Sequence, residues 1–148
     1  WQSIANSING KFMALERPPL SPFGAFVGIT IDDYSEGKAT CSVELEEHHL
    51  NNGGRVHGGV LSSLADTAAG AAVRSVRPKE SFAATTDLAI SFIRPPTGNK
   101  LSAKAEVFHA GKQLYRVEIA IFSNKKLVAK CSTTFMIVEA LRELQEKE

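Results

Sequence analysis

The sequence predicts an α+β fold in which one long apolar helix lies against a curled antiparallel sheet of about six strands. Residues 57–76 contain no proline, are rich in Leu, Val, Ala, Ser and Gly, and carry only Asp66 and Arg74 as charges, the mark of a largely buried helix. The segments around it alternate apolar and polar residues with period two, as half-buried strands do. The tripeptides AGK and SNK separate the last three strands and are short enough to force antiparallel pairing.

In chain order, Ile4, Ile8, Phe12 and Leu15 recur at helical spacing before Pro18 and Pro19, so a short amphipathic helix with its lead-in is expected over residues 1–19. SPFGAFVGITI reads as a turn entering a strand. DDYSEG supplies turn residues before KATCSVEL, whose Ala39, Cys41, Val43 and Leu45 alternate with polar partners and complete a hairpin. EEHHLNNGGR is a loop by composition, and the adjacent His48 and His49 read as solvated. The long helix follows, then FAATTDLAISFIR, LSAKAEVFH, QLYRVEIAIF and KLVAKCSTTFMIV as strands. Residues 139–148 form a charged tail. No repeat or inter-domain linker interrupts the 148 residues, so one domain is expected. A sheet with one helix leaves an edge and a helix face in need of cover, which a homodimer provides.

The net charge of +1 is far from the basic face of a nucleic-acid binder, and no stretch approaches the roughly 18 apolar residues of a membrane helix. Cys41 and Cys131 each fall inside an alternating segment and read as buried free thiols, which fits a reducing, cytoplasmic setting. The chain opens on Trp1 rather than Met, which leaves a removed leader open.

The informative stretch is NNGGRVHGGVLSSLADTAAG, residues 51–70. Gly58 and Gly59 open the long helix, where unpaired N–H groups and the positive end of the helix dipole suit an oxyanion. Asp66 interrupts an otherwise small and apolar helix, and a carboxylate there can attack an activated carbonyl or take a proton from water. Each feature alone has an ordinary reading: a tight turn for the glycines, a solvated or backbone-bonded side chain for the Asp. Eight helical residues place Asp66 about 12 Å along the axis from Gly58, too far for both to meet one carbonyl. If both act, the site must combine two subunits related by a two-fold axis.

With these residues in hand, the chain resembles the hotdog-fold thioesterases of the phenylacetate-pathway branch over roughly residues 20–138. The shared pattern is an Asn, HGG six residues later, and an acid eight residues after the first Gly, followed by TTDLAISFIRPP. The resemblance implies an acyl-CoA thioesterase, a dimer or tetramer, with no metal and no cofactor beyond the CoA of the substrate. It implies that Gly58 polarises the thioester carbonyl, that Asp66 is nucleophile or general base, and that Asn51 orients the water or the carboxylate. His57 would shape the loop or touch the thioester, and Thr85 would help hold the water. Gly59 joins the substrate-binding set, and Arg94, His109 and Lys112 fall where relatives contact the nucleotide arm. The doubled Asn51-Asn52 leaves a one-residue ambiguity of register.

Two rival readings keep the fold: a non-catalytic acyl-CoA-binding module, which has no need of an acid at position 66, and a dehydratase or hydratase, whose Asp-x-Asn-Pro-x-His run is absent. The sequence contains no G-x-S-x-G elbow, no phosphate-binding loop and no Cys or His pair at zinc spacing.

Overall fold

The computed structural model describes residues 18–139, so the helix expected within 1–19 and nearly all of the charged tail lie outside the described residues. A short helix α1 (Pro22–Val27) leads into β1 (Ile29–Ser35) and β2 (Lys38–Glu44). A 3₁₀ turn (Glu47–His49) and a loop precede the long helix α2 (Gly58–Arg74), and β3 (Ser81–Phe92), β4 (Lys100–Ala110), β5 (Leu114–Ser123) and β6 (Lys126–Glu139) complete a six-stranded sheet of order β1-β2-β4-β5-β6-β3. Every pairing is antiparallel. The long helix wrapped by this sheet is the hotdog arrangement that the sequence predicts.

Leu61, Leu64, Ala65, Ala68, Ala69, Ala72 and Val73 are buried on α2 and recur at three- and four-residue intervals, so they form one stripe along the helix. Four alanines in that stripe let the helix approach the sheet closely, against a layer that includes Val43, Leu101, Val117, Ile119 and Ile121. Leu64 is fully buried at the centre. Leu64→Ala is expected to cost about 2–5 kcal/mol of unfolding free energy through lost transfer and a residual cavity, measurable by urea titration. Cys41 and Cys131 are free and buried, and burial pushes their thiols up to about 12 and about 11, so both stay protonated at neutral pH.

Three local expectations change. SPFGAFV, expected as a simple turn, forms a short helix, because Ser21 Oγ accepts from Gly24 N at 3.0 Å as an N-cap and Gly28, with φ 88°, closes the helix in a left-handed conformation. In DDYSEG only Glu36 and Gly37 turn, both with positive φ, as a two-residue hairpin with matching twist requires; the preceding DDYS continues β1. His49 is buried rather than solvated: its ring nitrogens lie 2.6 Å from Val27 O and 2.9 Å from Glu46 N, so the imidazole is neutral with the Nε2 proton donated to Val27. It ties α1 to the base of the loop that carries the candidate site.

The β3–β6 ladder shifts register between Thr85 and Asp87, leaving Thr86 as an extra residue in a β-bulge. Partly and fully buried positions on β3 are Ser81 and Ala83 before the bulge, Leu88 and Ile90 after it. The parity of the strand therefore changes at Thr86, and the change puts Thr85 on the side facing α2.

Candidate active site

Asp66 projects from the flank of α2, half-buried beside the buried stripe. The Thr85 hydroxyl donates to Asp66 Oδ1 at 2.8 Å, a link from helix to sheet that depends on the bulge. One carboxylate oxygen is thus fixed, and Oδ2 is left as the atom able to meet a substrate or a water. The two groups line a cleft of about 440 Å³ that also takes in Thr67, Gly70, Ala71, Phe82 and Phe135, with Arg74 and Arg77 at its other end. A Thr85→Val variant, which keeps the shape and removes the donor, is expected to lower kcat by about tenfold or more, the effect of one hydrogen bond to a charged group. Thr85→Ser is expected to retain most of the rate, with both followed by thiol release.

The start of α2 is built from its loop. Asn51 Oδ1 accepts from Gly53 N at 2.8 Å and Arg55 N at 3.1 Å, and the Asn51 backbone bonds Gly54 N and Arg55 O. A bridge between Leu50 and Val56 and the bond from His57 N to His49 O at 2.9 Å close the loop at its base. Of the two asparagines, Asn51 is the one whose side chain these bonds fix. Its oxygen shapes the loop, however, and is not aimed at Asp66 on the same chain.

His57 caps α2, its Nδ1 accepting from Gly59 N at 2.8 Å. The cap takes the Gly59 N–H away from any substrate. A Cβ at Gly59 would lie 2.9 Å from His57 Nδ1, so the cap requires glycine there. The Gly58 N–H has no partner among the described residues, and the Phe92 ring stands where a Cβ at Gly58 would come within 3.1 Å. A second, more apolar cleft of about 320 Å³ adjoins this end of the helix, lined by Phe23, Phe26, Leu50, His57, Gly59 and Val60 among others.

One chain therefore brings Asp66 and Thr85 together, and separately Asn51, His57, Gly58 and Gly59. It does not bring Gly58 to Asp66, which stand about 12 Å apart along the helix. Nor does it gather the three expected nucleotide contacts. Arg94 N bonds Val128 O at one end of β6, whereas the turn holding Lys112 lies beside Ile137, nine residues and about 30 Å along that strand, with His109 near the same turn. Arg74 and Phe135 were not singled out from the sequence. Arg74 lies eight residues after Asp66 on the same helix flank, a spacing that could have marked it.

The sequence pattern of the thioesterase superfamily matches residues 53–130. The acyl-coenzyme A thioesterase PaaI of Escherichia coli is 39% identical over 106 residues, covering 70% of this chain and 73% of its own. The solved structure of that protein superposes with a TM-score of 0.73 at 28% identity, covering 93% of this chain and 92% of the other. A conserved protein of Pseudomonas aeruginosa superposes with a TM-score of 0.77 at 31% identity, covering 80% and 94%. A helix-borne carboxylate held by a threonine, a glycine-opened helix start and these likenesses agree: the chain belongs to the thioesterase superfamily, as a PaaI-like hotdog-fold thioester hydrolase.

Proposed function

We propose that the protein hydrolyses acyl-CoA or aryl-CoA thioesters to the free acid and CoA at a site shared by two copies of the chain. The observation that carries this reading is that the carboxylate fixed by Thr85 and the unbonded Gly58 N–H lie on one helix but too far apart to serve one carbonyl. The twelve-residue β3 is an edge strand, and Phe92 and Ile93 at its end are 56% and 47% exposed. A long bare edge of this kind invites pairing with a second copy. Antiparallel pairing of two β3 strands about a two-fold axis sets the two long helices side by side, so that Gly58 of the partner subunit approaches Asp66.

In such a site the Gly58 N–H and the positive end of the helix polarise the thioester carbonyl and hold the oxyanion. Asp66 Oδ2 takes a proton from water as the water oxygen bonds to the carbonyl carbon. Collapse breaks the carbon–sulfur bond, and the CoA thiolate leaves with that proton. The same groups serve a second route, in which Oδ2 bonds to the carbon, expels the thiolate and gives an anhydride that water then cleaves. Label found in Asp66 after a single turnover in ¹⁸O-water marks the second route with water attacking the Asp66 side of the anhydride. Neither route asks for a metal or cofactor. The rims at Arg94 and at His109 with Lys112, far apart in one chain, suit the phosphates of CoA only through the assembly, and the protonated thiols suit a reducing cytoplasm. An acyl-CoA panel of phenylacetyl, hexanoyl and decanoyl thioesters, read by thiol release, tests the reading; no turnover of any of them would refute it.

A further inference from the structure

We infer that the Asp66 cleft selects acyl groups that end in an anion, and that Arg74 with Arg77 forms the subsite that reads that end; this rests on the thioesterase reading above. The cleft has three zones. Asp66 and Thr85 hold one end, Gly70, Ala71, Phe82 and Phe135 make an uncharged middle, and Arg74 and Arg77 line the other end. Asp66, Gly70 and Arg74 follow one another at four-residue intervals, so they share a helix flank and span about 12 Å along the axis.

The two arginines differ in how they are held. Arg77 is half-buried, and its NH1 donates to Ser81 O, to Ser81 Oγ at 3.3 Å and to Pro78 O at 3.3 Å. It is thereby fixed just after the helix. Arg74, exposed at the helix end, lies close enough to the Tyr34 phenol and to Arg77 for each to feel its charge. Burial first and the Arg74 charge second hold Arg77 below the ordinary guanidinium value, and the nearby Tyr34 phenol, which also hydrogen-bonds Arg74, only partly opposes them. Among the described residues neither guanidinium has a carboxylate within ion-pair distance. An anion delivered to this end would relieve the repulsion and accept several charge-assisted hydrogen bonds.

Two parts of an acyl-CoA carry anions: the phosphates and, in some substrates, the far end of the acyl group. The pantetheine arm that separates the sulfur from the pyrophosphate is as long as four to five residues of extended chain, about 15 Å, which overshoots the span from Asp66 to Arg74. A six-carbon dicarboxylic acyl group is roughly 6 Å between its end carbons, and the long Arg74 side chain, leaning toward the N-terminal side of its helix, covers the rest. The thioester then sits at Asp66, the methylenes on the uncharged wall and the free carboxylate at Arg74.

Adipyl-CoA and hexanoyl-CoA have equal chain length and differ in the terminal carboxylate. The wild-type enzyme is expected to favour adipyl-CoA in kcat/KM, and Arg74→Met to lower the adipyl-to-hexanoyl ratio by about tenfold or more, the usual effect of a charge-assisted hydrogen bond. Arg74→Lys should fall between, thermal melting confirms that both variants fold, and added salt should erode the wild-type ratio. Turnover of hexanoyl-CoA without an adipyl preference overturns the subsite and leaves the thioesterase reading standing. Equal losses on both substrates in Arg74→Met would place the arginine on the CoA phosphates and also overturn it. If neither thioester turns over while phenylacetyl-CoA or decanoyl-CoA does, the subsite alone falls; if none of the four turns over, both readings fall.

Discussion

Asp66→Asn is expected to lower kcat for the best acyl-CoA substrate by about 10²- to 10⁴-fold, the range for loss of a positioned acid or base. The change is nearly isosteric, and the Thr85 hydroxyl can still donate to the amide oxygen, so the cleft keeps its shape while the basic oxygen is lost. Melting temperature and substrate binding should therefore stay close to wild type while thiol release collapses. A variant with full activity would remove Asp66 from the mechanism whatever the fold.

Gly58→Pro should cost about 10²- to 10³-fold in kcat, the effect of deleting one oxyanion donor. Proline is suited to the first position of a helix and lacks the N–H in question. His57, with φ −64° and ψ 134°, already has the extended conformation that a following proline demands. A Cβ at Gly58 comes 3.1 Å from the Phe92 ring, so thermal melting and dimer mass are checked alongside the rate. The larger result comes from mixing. Each variant alone is defective in both sites of a dimer, but a dimer with one subunit of each kind has one site with both defects and one with neither. Co-refolding Gly58→Pro with Asp66→Asn subunits in equal amounts should restore about a quarter of wild-type activity, since half the dimers are mixed and half their sites intact. No recovery would mean that donor and acid act within one chain, and the shared-site proposal would be wrong.

The 12 Å that underlies this experiment could be read from the sequence because the rise of an α-helix is fixed, and residues 57–76 offered no reason to depart from a helix. Alternation likewise placed Leu101, Ala103 and Ala105 on the buried face of β4, where they lie. Legibility failed wherever one tertiary contact decides the local state. PFGAFV is too short to show a helical period, and the Ser21 cap and Gly28 stop define it instead. His49 looks no different from His48 until Val27 O arrives from another element. Nor does spacing reveal that Asn51 and His57 spend their acceptors on neighbouring backbone N–H groups.

Thr85 and Thr86 are chemically identical neighbours with unlike duties. Counting back from Phe92 by twos names Thr86 as the inward residue, yet Thr85 meets the carboxylate while Thr86 Oγ1 donates to Thr134 O at 3.2 Å. The strand behaves as two half-strands out of phase, joined by one surplus residue. A deletion at Thr86 would bring the halves into step while leaving Thr85, Leu88 and Ile90 all turned inward, whereas a deletion a few residues further on would flip one half against the other. This stretch of chain can therefore lose a residue at its join and keep its chemistry, but it cannot lose one elsewhere without turning part of the core toward water.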